Sequence, residues 1–220
     1  MLIVHHLENS RSQRVLWLLE ELGVPYEVKR YERNPKTSLA PKELLDIHPL
    51  GKSPLLEDDG EIIAETGAIF EYILDQYGNG RLRPEAGTKA ARQLTYWLHY
   101  AEGSAMTPLL MKLVFSVMPQ RAPALMKPLV RSVTSKAQAG FVDPQLKSHI
   151  GYWASTLSQS EWFVGDEFSA ADIMMSFPLE AAASRAGAEA YPVLVAFLEK
   201  IHARPAYQAA LKAGGPYAYA

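Results

Sequence analysis

The first part of the chain alternates short apolar runs with amphipathic stretches. Leu2-Ile3-Val4 is typical of a buried strand. Apolar residues then recur from Val15 to Leu22 at helical spacing, and Gly23 follows as a stop signal. Asp58-Asp59-Gly60 lies between two apolar runs, which predicts a hairpin. We also predict a strand over Tyr26–Tyr31, a short helix or turn over Pro41–Ile47 and an amphipathic helix from Thr66 onward, so the predicted order is β-α-β-α-β-β-α.

The pattern changes after residue 79. Residues 80–88 mix glycine, proline and charge, as linkers do, and beyond them only helical stripes recur. The best-marked helix start carries Ser169 and Asp172, the spacing of a capping box. We therefore predict an α/β domain over 1–79, a linker over 80–88 and an all-helical domain over 89–220.

The amino-acid composition excludes several classes of function. The formal net charge is −2, which gives no electrostatic footprint for nucleic acid or an acidic membrane. The chain has no cysteine, so disulfides, thiolate metal sites and a cysteine nucleophile are excluded, and any sulfur chemistry needs a sulfur from a ligand. No signal peptide or apolar run of membrane-spanning length is seen. We expect a cytoplasmic protein.

Three segments in this order resemble the cytosolic glutathione S-transferases, over nearly the whole chain. They are Ser10–Gly23, His48–Leu56 with Ile63–Ile69, and the capping-box segment Phe168–Ile173. The resemblance implies a thioredoxin-like first domain, a helical second domain, a homodimer and glutathione as co-substrate. The chain looks most similar to the bacterial and fungal branches that carry a serine, rather than a tyrosine, before the first helix.

The middle and the γ-glutamyl end of glutathione have candidate partners. X-Pro bonds adopt the cis form at a cost of only ~0.5–1 kcal/mol. The resemblance implies a cis Ser53-Pro54 bond, with the Ser53 backbone pairing with the cysteinyl residue of glutathione; the alternative is a plain strand start at Pro54. Thr66 lies at a helix start, where free N–H groups favour a carboxylate, and Glu65 can face the ligand's amine. The alternative for Thr66 is a helix N-cap.

The glycine end of glutathione has weaker candidates. Lys52 is a plausible partner for the glycine carboxylate and His48 a weaker one, although exposed lysines are usually only solvated. Gly51-Lys52-Ser53 also looks like the end of a phosphate-binding loop. That reading is rejected, because Asp46 stands where the loop needs its first glycine and Pro54 prevents the helix that should follow.

The thiol of glutathione needs a group that favours its thiolate form. By resemblance to the serine-type branches Ser10 is the choice, while its alternative role is a helix N-cap, which Ser12 could fill instead. Arg11 and Asn9 are rivals for the same task, through charge and through an amide donor. His5 lies near where other branches carry their tyrosine, which argues against a tyrosine mechanism.

The second substrate is expected between the two domains. Some aromatic and methionine side chains of the helix after the linker are candidates for lining that cleft, and Tyr217 and Tyr219 could fold over it. The candidates are Tyr96, Trp97, Tyr100, Met106, Met111 and Phe115. The leading function is conjugation of glutathione to a small apolar electrophile. Reduction of organic peroxides by the same thiolate, and a non-catalytic glutathione-binding module, are the alternatives; we expect no metal.

Overall fold

A four-stranded mixed sheet forms the first part of the molecule. The computed structural model describes residues 1–219. The strands are β1 (Leu2–Leu7), β2 (Tyr26–Tyr31), β3 (Leu55–Asp58) and β4 (Glu61–Ala64). Their order across the sheet is β2-β1-β3-β4; β1 and β2 run parallel, and the other neighbours are antiparallel. The parallel pair needs a crossover, and the first helix supplies it.

Two helices pack against this sheet. Helix α1 (Gln13–Leu22) ends at Gly23, whose φ of 65° is the left-handed conformation that glycine adopts without strain. Almost every α1 residue is buried, because α1 lies between the sheet and the helical part of the chain. Helix α2 (Thr66–Gln76) follows β4 directly, and a short 3₁₀ turn, Lys42–Leu45, stands where a short helix or turn was predicted.

The rest of the described chain is helical. Its helices are α3 (Lys89–Tyr100), α4 (Met106–Arg121), α5 (Lys127–Ala137), α6 (Asp143–Gln159), α7 (Ala170–Arg185), α8 (Pro192–His202) and α9 (Pro205–Gly214). One π-helical turn, Ala101–Ala105, joins α3 to α4, and another, Gln138–Val142, joins α5 to α6. The predicted combination of an α/β part and an all-helical part is confirmed.

Helix α7 is the centre of the helical part. Thirteen of its residues are buried, so α7 is enclosed on every side; ten of them are apolar, and Asp172, Ser176 and Glu180 are the buried polar ones. Its start carries the predicted capping box: Ser169 accepts from the helix backbone, and the Asp172 carboxylate accepts from the Ser169 N–H at 2.9 Å. The same carboxylate accepts from the Phe163 N–H at 2.9 Å, which ties the preceding loop to the helix. Within residues 1–219, no helix combines the length and apolarity that crossing a membrane requires.

Candidate active site

A cavity of about 500 Å³ lies between the sheet and the helical part. One wall comes from the loops after β1 and before β3, and the opposite wall comes from α4, α7 and the C-terminal tail. The residues that line it are Leu7, Asn9, Ser10, Arg11, Arg33, Ser38, Leu39, Ala40, Lys52, Ser53, Met106, Leu110, Leu113, Phe177, Arg185 and Tyr219. A cavity is therefore present between the two parts, where the sequence leads us to expect the second substrate.

Ser53 lies on the floor of this cavity. The Ser53-Pro54 peptide bond is cis, as the family resemblance implied. The Ser53 hydroxyl donates to the His5 carbonyl at 2.8 Å and accepts from the Leu7 N–H at 3.2 Å, so the loop is fastened to β1. The side chain is thus committed to β1, whereas the Ser53 backbone N–H and C=O have no hydrogen-bond partner within residues 1–219. They are available to a ligand's backbone.

Glu65 and Thr66 lie beside that position. The pairing of Leu55 with Ala64 in the β3–β4 ladder places the residues just beyond it at the same end of the sheet. Glu65 is the N-cap of α2, with φ 72° and ψ 127° and no capping hydrogen bond from its side chain. Thr66 is the first residue of the helix and is buried, so the alternative that Thr66 is the N-cap is wrong: that position belongs to Glu65. The first N–H groups of α2 remain open.

Lys52 and His48, the candidates for the glycine end, are placed differently. Lys52 is exposed and lines the cavity. His48 does not line it; its Nδ1 accepts from the Leu50 N–H at 3.3 Å, and its carbonyl accepts from the Gly51 N–H at 2.8 Å. His48 therefore shapes the turn that presents Lys52 and Ser53.

Ser10 is part of a buried chain of hydrogen bonds. Its hydroxyl lies 2.7 Å from the Ser12 hydroxyl and accepts from the Ser12 N–H at 3.2 Å. The Ser12 hydroxyl lies 2.8 Å from Nδ1 of His6. Ser10 is thus the member of the chain that lines the cavity. Ser12 occupies the N-cap position of α1, the alternative that the sequence left open, although its side chain makes no capping bond.

His6 closes the chain on the side away from the cavity. Desolvation by burial lowers the pKa of His6 from 6.5 to about 4; the nearby charge of Arg30 lowers it further, and a hydrogen bond to the Gly214 backbone opposes the change. The imidazole is therefore neutral at neutral pH, with one ring nitrogen that donates and one that accepts. The sequence indicated the strand that carries His6 but not its link to Ser12.

Arg11 and Asn9, the rivals of Ser10, both line the cavity and both have other partners. The Arg11 guanidinium pairs with the Glu102 carboxylate at 2.9 Å, and Glu102 also pairs with the buried Arg14. Glu102 lies in the π-helical turn after α3, so this cluster joins the two parts of the molecule. The Asn9 side-chain oxygen accepts from the Ala218 N–H at 2.7 Å and holds the C-terminal tail.

The opposite wall is mostly apolar. Of the six aromatic and methionine candidates after the linker, only Met106 lines the cavity; the stripe that contains Trp97 and Tyr100 packs into the core instead. Tyr219 does line the cavity, while the Tyr217 hydroxyl donates to Glu180 at 2.5 Å away from it. Phe177 and Arg185 lie there without having been predicted, and no local sequence motif marks them.

Metal binding finds no support in the described residues. His5 and His6 are both buried and face different partners: His5 bonds to Tyr31 and Glu57, whereas His6 bonds to Ser12. Within residues 1–219 no three His, Cys, Asp or Glu side chains come together in a way that could hold an ion.

Two family models match the chain. Residues 1–75 match the glutathione S-transferase N-terminal domain, and residues 124–214 match the glutathione S-transferase C-terminal domain. Glutathione S-transferase 1 of Saccharomyces cerevisiae is 36% identical over 216 residues, which covers 94% of this chain and 92% of the yeast protein.

Solved structures agree in fold. A glutathione S-transferase from Actinobacillus pleuropneumoniae is 32% identical with a TM-score of 0.78, covering 100% of this chain and 95% of the other. A sphingomonad glutathione S-transferase complexed with glutathione is 28% identical with a TM-score of 0.73, covering 97% of this chain and 98% of the other.

Proposed function

We infer that this chain, which belongs to the glutathione S-transferase family, transfers glutathione to electrophiles. We propose that the cavity between the sheet and the helices is where the reaction takes place. In this proposal Ser53, Glu65 and Thr66 bind glutathione, Lys52 binds its glycine carboxylate, and Ser10 acts on its sulfur. The electrophile is a small, largely apolar molecule.

The observation that carries this proposal is a set of unused backbone groups at Ser53, which lines the cavity, and at the start of α2, which lies at the same end of the sheet but is not among the residues that line the cavity. Glutathione is an extended tripeptide, and it needs a backbone partner in its middle and a site for the carboxylate at its γ-glutamyl end. The Ser53 N–H and C=O have no partner within residues 1–219, and the start of α2 has no side-chain cap. The helix dipole favours a carboxylate there, and Glu65 is close enough to take the neighbouring ammonium.

The thiol must lose its proton before it reacts. A free thiol has a pKa near ~8.5, and lowering it by ~2 units requires ~2.7 kcal/mol of preference for the thiolate. One hydrogen bond to the charged sulfur supplies ~1.5–3 kcal/mol, so a single donor is of the right size.

The buried hydrogen-bond chain can supply that donor. If the His6 ring proton is on Nδ1, His6 donates to Ser12, and the Ser12 O–H can donate to Ser10 or to the Leu7 carbonyl at 3.3 Å; when it donates to Ser10, the Ser10 O–H is left to donate into the cavity. With the proton on Nε2, the nitrogen that a hydrogen bond to the Gly214 backbone favours, Ser12 donates to His6 and the Ser10 hydrogen is drawn toward Ser12 instead. His6 and Ser12 thus act as positioning residues for the Ser10 hydrogen in this proposal.

The reaction itself is a displacement or an addition at carbon. The thiolate attacks the electrophilic carbon, the C–S bond forms, and a leaving group departs with the bonding electrons or an activated double bond takes them up. The thiol proton goes to solvent. Holding both reactants in one cavity accounts for much of the rate.

Ser10→Ala tests the proposed activator. We expect the pKa of the glutathione thiol bound to the variant to rise by about 1–2 units, because the hydrogen bond to the thiolate is lost. The thiolate absorbance is titrated in the bound complex, and kcat/KM with 1-chloro-2,4-dinitrobenzene is measured across the same pH range. Ser116→Ala, an exposed helical serine, is the matched control. An unchanged thiolate titration in Ser10→Ala would remove Ser10 from this role and return attention to Asn9 or Arg11.

We further propose that the chain works as a homodimer in the cytoplasm, as its resemblance to the cytosolic family implies. Sedimentation velocity over a range of protein concentrations tests the first point. A monomer at micromolar concentration would contradict it.

A further inference from the structure

We propose that the second substrate carries an anionic group, a carboxylate in the simplest case, on an apolar body, and that Arg185 binds that group. This inference rests on the proposed function and names the class of electrophile that the cavity takes. Neither the family match nor the sequence motifs assign a role to Arg185.

Arg185 is the last residue of α7 and lines the cavity on the helical wall. Its Nη2 donates to the Tyr219 hydroxyl at 2.7 Å, and its guanidinium carbon lies 5.3 Å from the centre of the Tyr219 ring. A guanidinium has five N–H donors in a planar fork that suits a carboxylate. Within residues 1–219 this is its only side-chain hydrogen bond, and no carboxylate comes within ion-pair distance of it.

Each of the other cationic side chains that line the cavity has a partner within the protein or a proposed role in binding glutathione. Arg11 pairs with Glu102. Arg33 donates to three carbonyl oxygens of nearby loops, those of Glu8, Asn9 and Ser38, at 3.1–3.4 Å. Lys52 lies on the opposite wall, beside Ser53, where the glycine end of glutathione is proposed. Arg185 is therefore the cation that remains for the second substrate on the helical side.

No carboxylate lines the cavity to neutralise Arg185. The other residues of the helical wall are mostly apolar: Met106, Leu110, Leu113 and Phe177 line the cavity beside Arg185. On its other side Arg185 lines a second cavity with Lys112, Asp143 and Lys147, but no ion pair joins it to Asp143. Leu110 is 51% exposed and Leu113 39% exposed, so both offer surface that a ligand can cover. A half-buried cation in such a wall favours a ligand that is apolar with one negative group.

The C-terminal tail places Arg185 near Ser10, at the end of the cavity where the thiol of glutathione is proposed to lie. Asn9 accepts from the Ala218 N–H at 2.7 Å, so Tyr219 follows a residue that is fastened beside Ser10. The Tyr219 ring also lies edge-on to Phe177, 5.5 Å between centres. A substrate held by Arg185 and Phe177 thus lies between the helical wall and the group proposed to act on the thiol.

The test compares two electrophiles that differ only in a carboxylate. 1-Chloro-2,6-dinitrobenzene is neutral, and 4-chloro-3,5-dinitrobenzoate is the same ring with a carboxylate opposite the chlorine; in both, the C–S bond forms, the C–Cl bond breaks and chloride leaves. The readout is the ratio of kcat/KM for the benzoate to kcat/KM for the neutral compound, each corrected for its uncatalysed rate. A ratio cancels any general damage to the enzyme.

We expect Arg185→Met to lower this ratio roughly tenfold or more, as the loss of a hydrogen bond to a charged group predicts. Arg185→Lys keeps the charge but not the fork, so its ratio should lie between the two. Arg131→Met, an exposed arginine of α5 outside the cavity, should leave the ratio as in the parent protein.

A second readout separates this inference from the proposed function. 3,5-Dinitrobenzoate and 1,3-dinitrobenzene lack a leaving group, and their binding to the glutathione-loaded protein is measured by calorimetry. Tighter binding of the benzoate that Arg185→Met abolishes supports the anion site, even if neither chlorinated compound turns over. An unchanged ratio, or an equal rise of the glutathione KM with both electrophiles, would overturn the inference, since Arg185 would then serve no second substrate or serve glutathione itself.

Discussion

The starts of α7 and α2 are opposite solutions to the same problem. Every helix begins with N–H groups that have no partner inside the helix. At α7, Ser169 has the relaxed extended backbone of an N-cap, with φ −142° and ψ 174°, and Asp172 completes a capping box. At α2, Glu65 has φ 72°, a region that residues other than glycine seldom adopt, and its side chain makes no capping bond.

The two helix starts differ in whether their N–H groups are used within the protein or left available to a ligand. Ser169 and Asp172 are buried in the helical core, and their side chains use the available donors, so nothing is left there for a ligand. The start of α2 lies beside Ser53 and keeps its donors, and strained backbone of this kind is most often found at functional sites. An open helix start is costly unless water or a ligand takes it, whereas a closed one stabilises the fold outright.

The start of α1 combines both properties. Ser10, Ser12 and His6 are buried and hydrogen-bonded to one another, as in a structural cap. Yet Ser10 also lines the cavity, so one end of this chain is open to a ligand. Substitutions at the three helix starts should therefore affect stability and glutathione binding in different proportions.

The largest expected effect on stability is at the closed start. Asp172→Ala removes a carboxylate that accepts from the N–H groups of Phe163 and Ser169, and it leaves both buried donors unsatisfied. We expect a loss of about 3 kcal/mol or more in the free energy of unfolding. Urea unfolding measures it. Burial raises the pKa of Asp172 to about 6, with its hydrogen bonds opposing the rise, so the experiment belongs at pH 8, where the carboxylate is ionised.

Asp166→Ala is the matched control, since Asp166 is exposed in the same loop. It should change stability by no more than about 0.5 kcal/mol. A loss below about 1 kcal/mol in Asp172→Ala would mean that water replaces the carboxylate, and that the α7 start is less closed than its geometry indicates.

The sequence predicted secondary-structure elements correctly where the residues of a segment are sufficient to determine its turn or cap. The hairpin at Asp58-Asp59-Gly60 and the capping box at Ser169 both formed as expected, because turn and cap chemistry depends on neighbouring residues. Of the prolines in the middle region, Pro123 marks a helix boundary, since α4 ends at Arg121 and the Ala122 backbone is extended; the other two do not. Pro128 lies in the first turn of α5, where no donor is needed, and Pro119 lies near the end of α4.

The site was predictable on one wall only. Ser10, Lys52 and Ser53 come from loops whose local sequence matches a family pattern, and all three line the cavity. Phe177 and Arg185 reach it through tertiary packing of α7, which no short segment encodes. Most aromatic residues expected on that wall went to the core instead, because a helical stripe specifies a buried face without saying which neighbour covers it.

The second prediction concerns the α1 start and uses pH. Burial lowers the pKa of His6 to about 4, whereas in the unfolded chain the ring has its ordinary pKa near 6.5. Between these values the unfolded chain binds more protons, so stability rises with pH across that window and is lost as pH falls toward 4. The full effect is about 3 kcal/mol, and it should be absent from His6→Gln.

His5 and His149 also have lowered pKa values, each through burial, so the parent protein's pH dependence contains their contributions as well. The quantity to compare is the difference in unfolding free energy between the parent protein and His6→Gln at pH 4.5 and at pH 7.5. If that difference is the same at both pH values, His6 is not held neutral by the fold. The α1 start would then be more hydrated than the α7 start.

The smallest effect is expected at the open start. Glu65→Gln keeps the shape of the N-cap residue but removes the charge proposed to face the ammonium of glutathione. Because Glu65 is exposed, we expect glutathione to bind only about threefold to tenfold more weakly, with unfolding free energy within about 0.5 kcal/mol of the parent. Calorimetric titration with glutathione measures the first, and urea unfolding the second. Glu61→Gln, an exposed carboxylate at the start of β4, is the control and should change neither. A large loss of stability without weaker binding in Glu65→Gln would contradict the comparison, because α2 would then depend on its N-cap side chain just as α7 does.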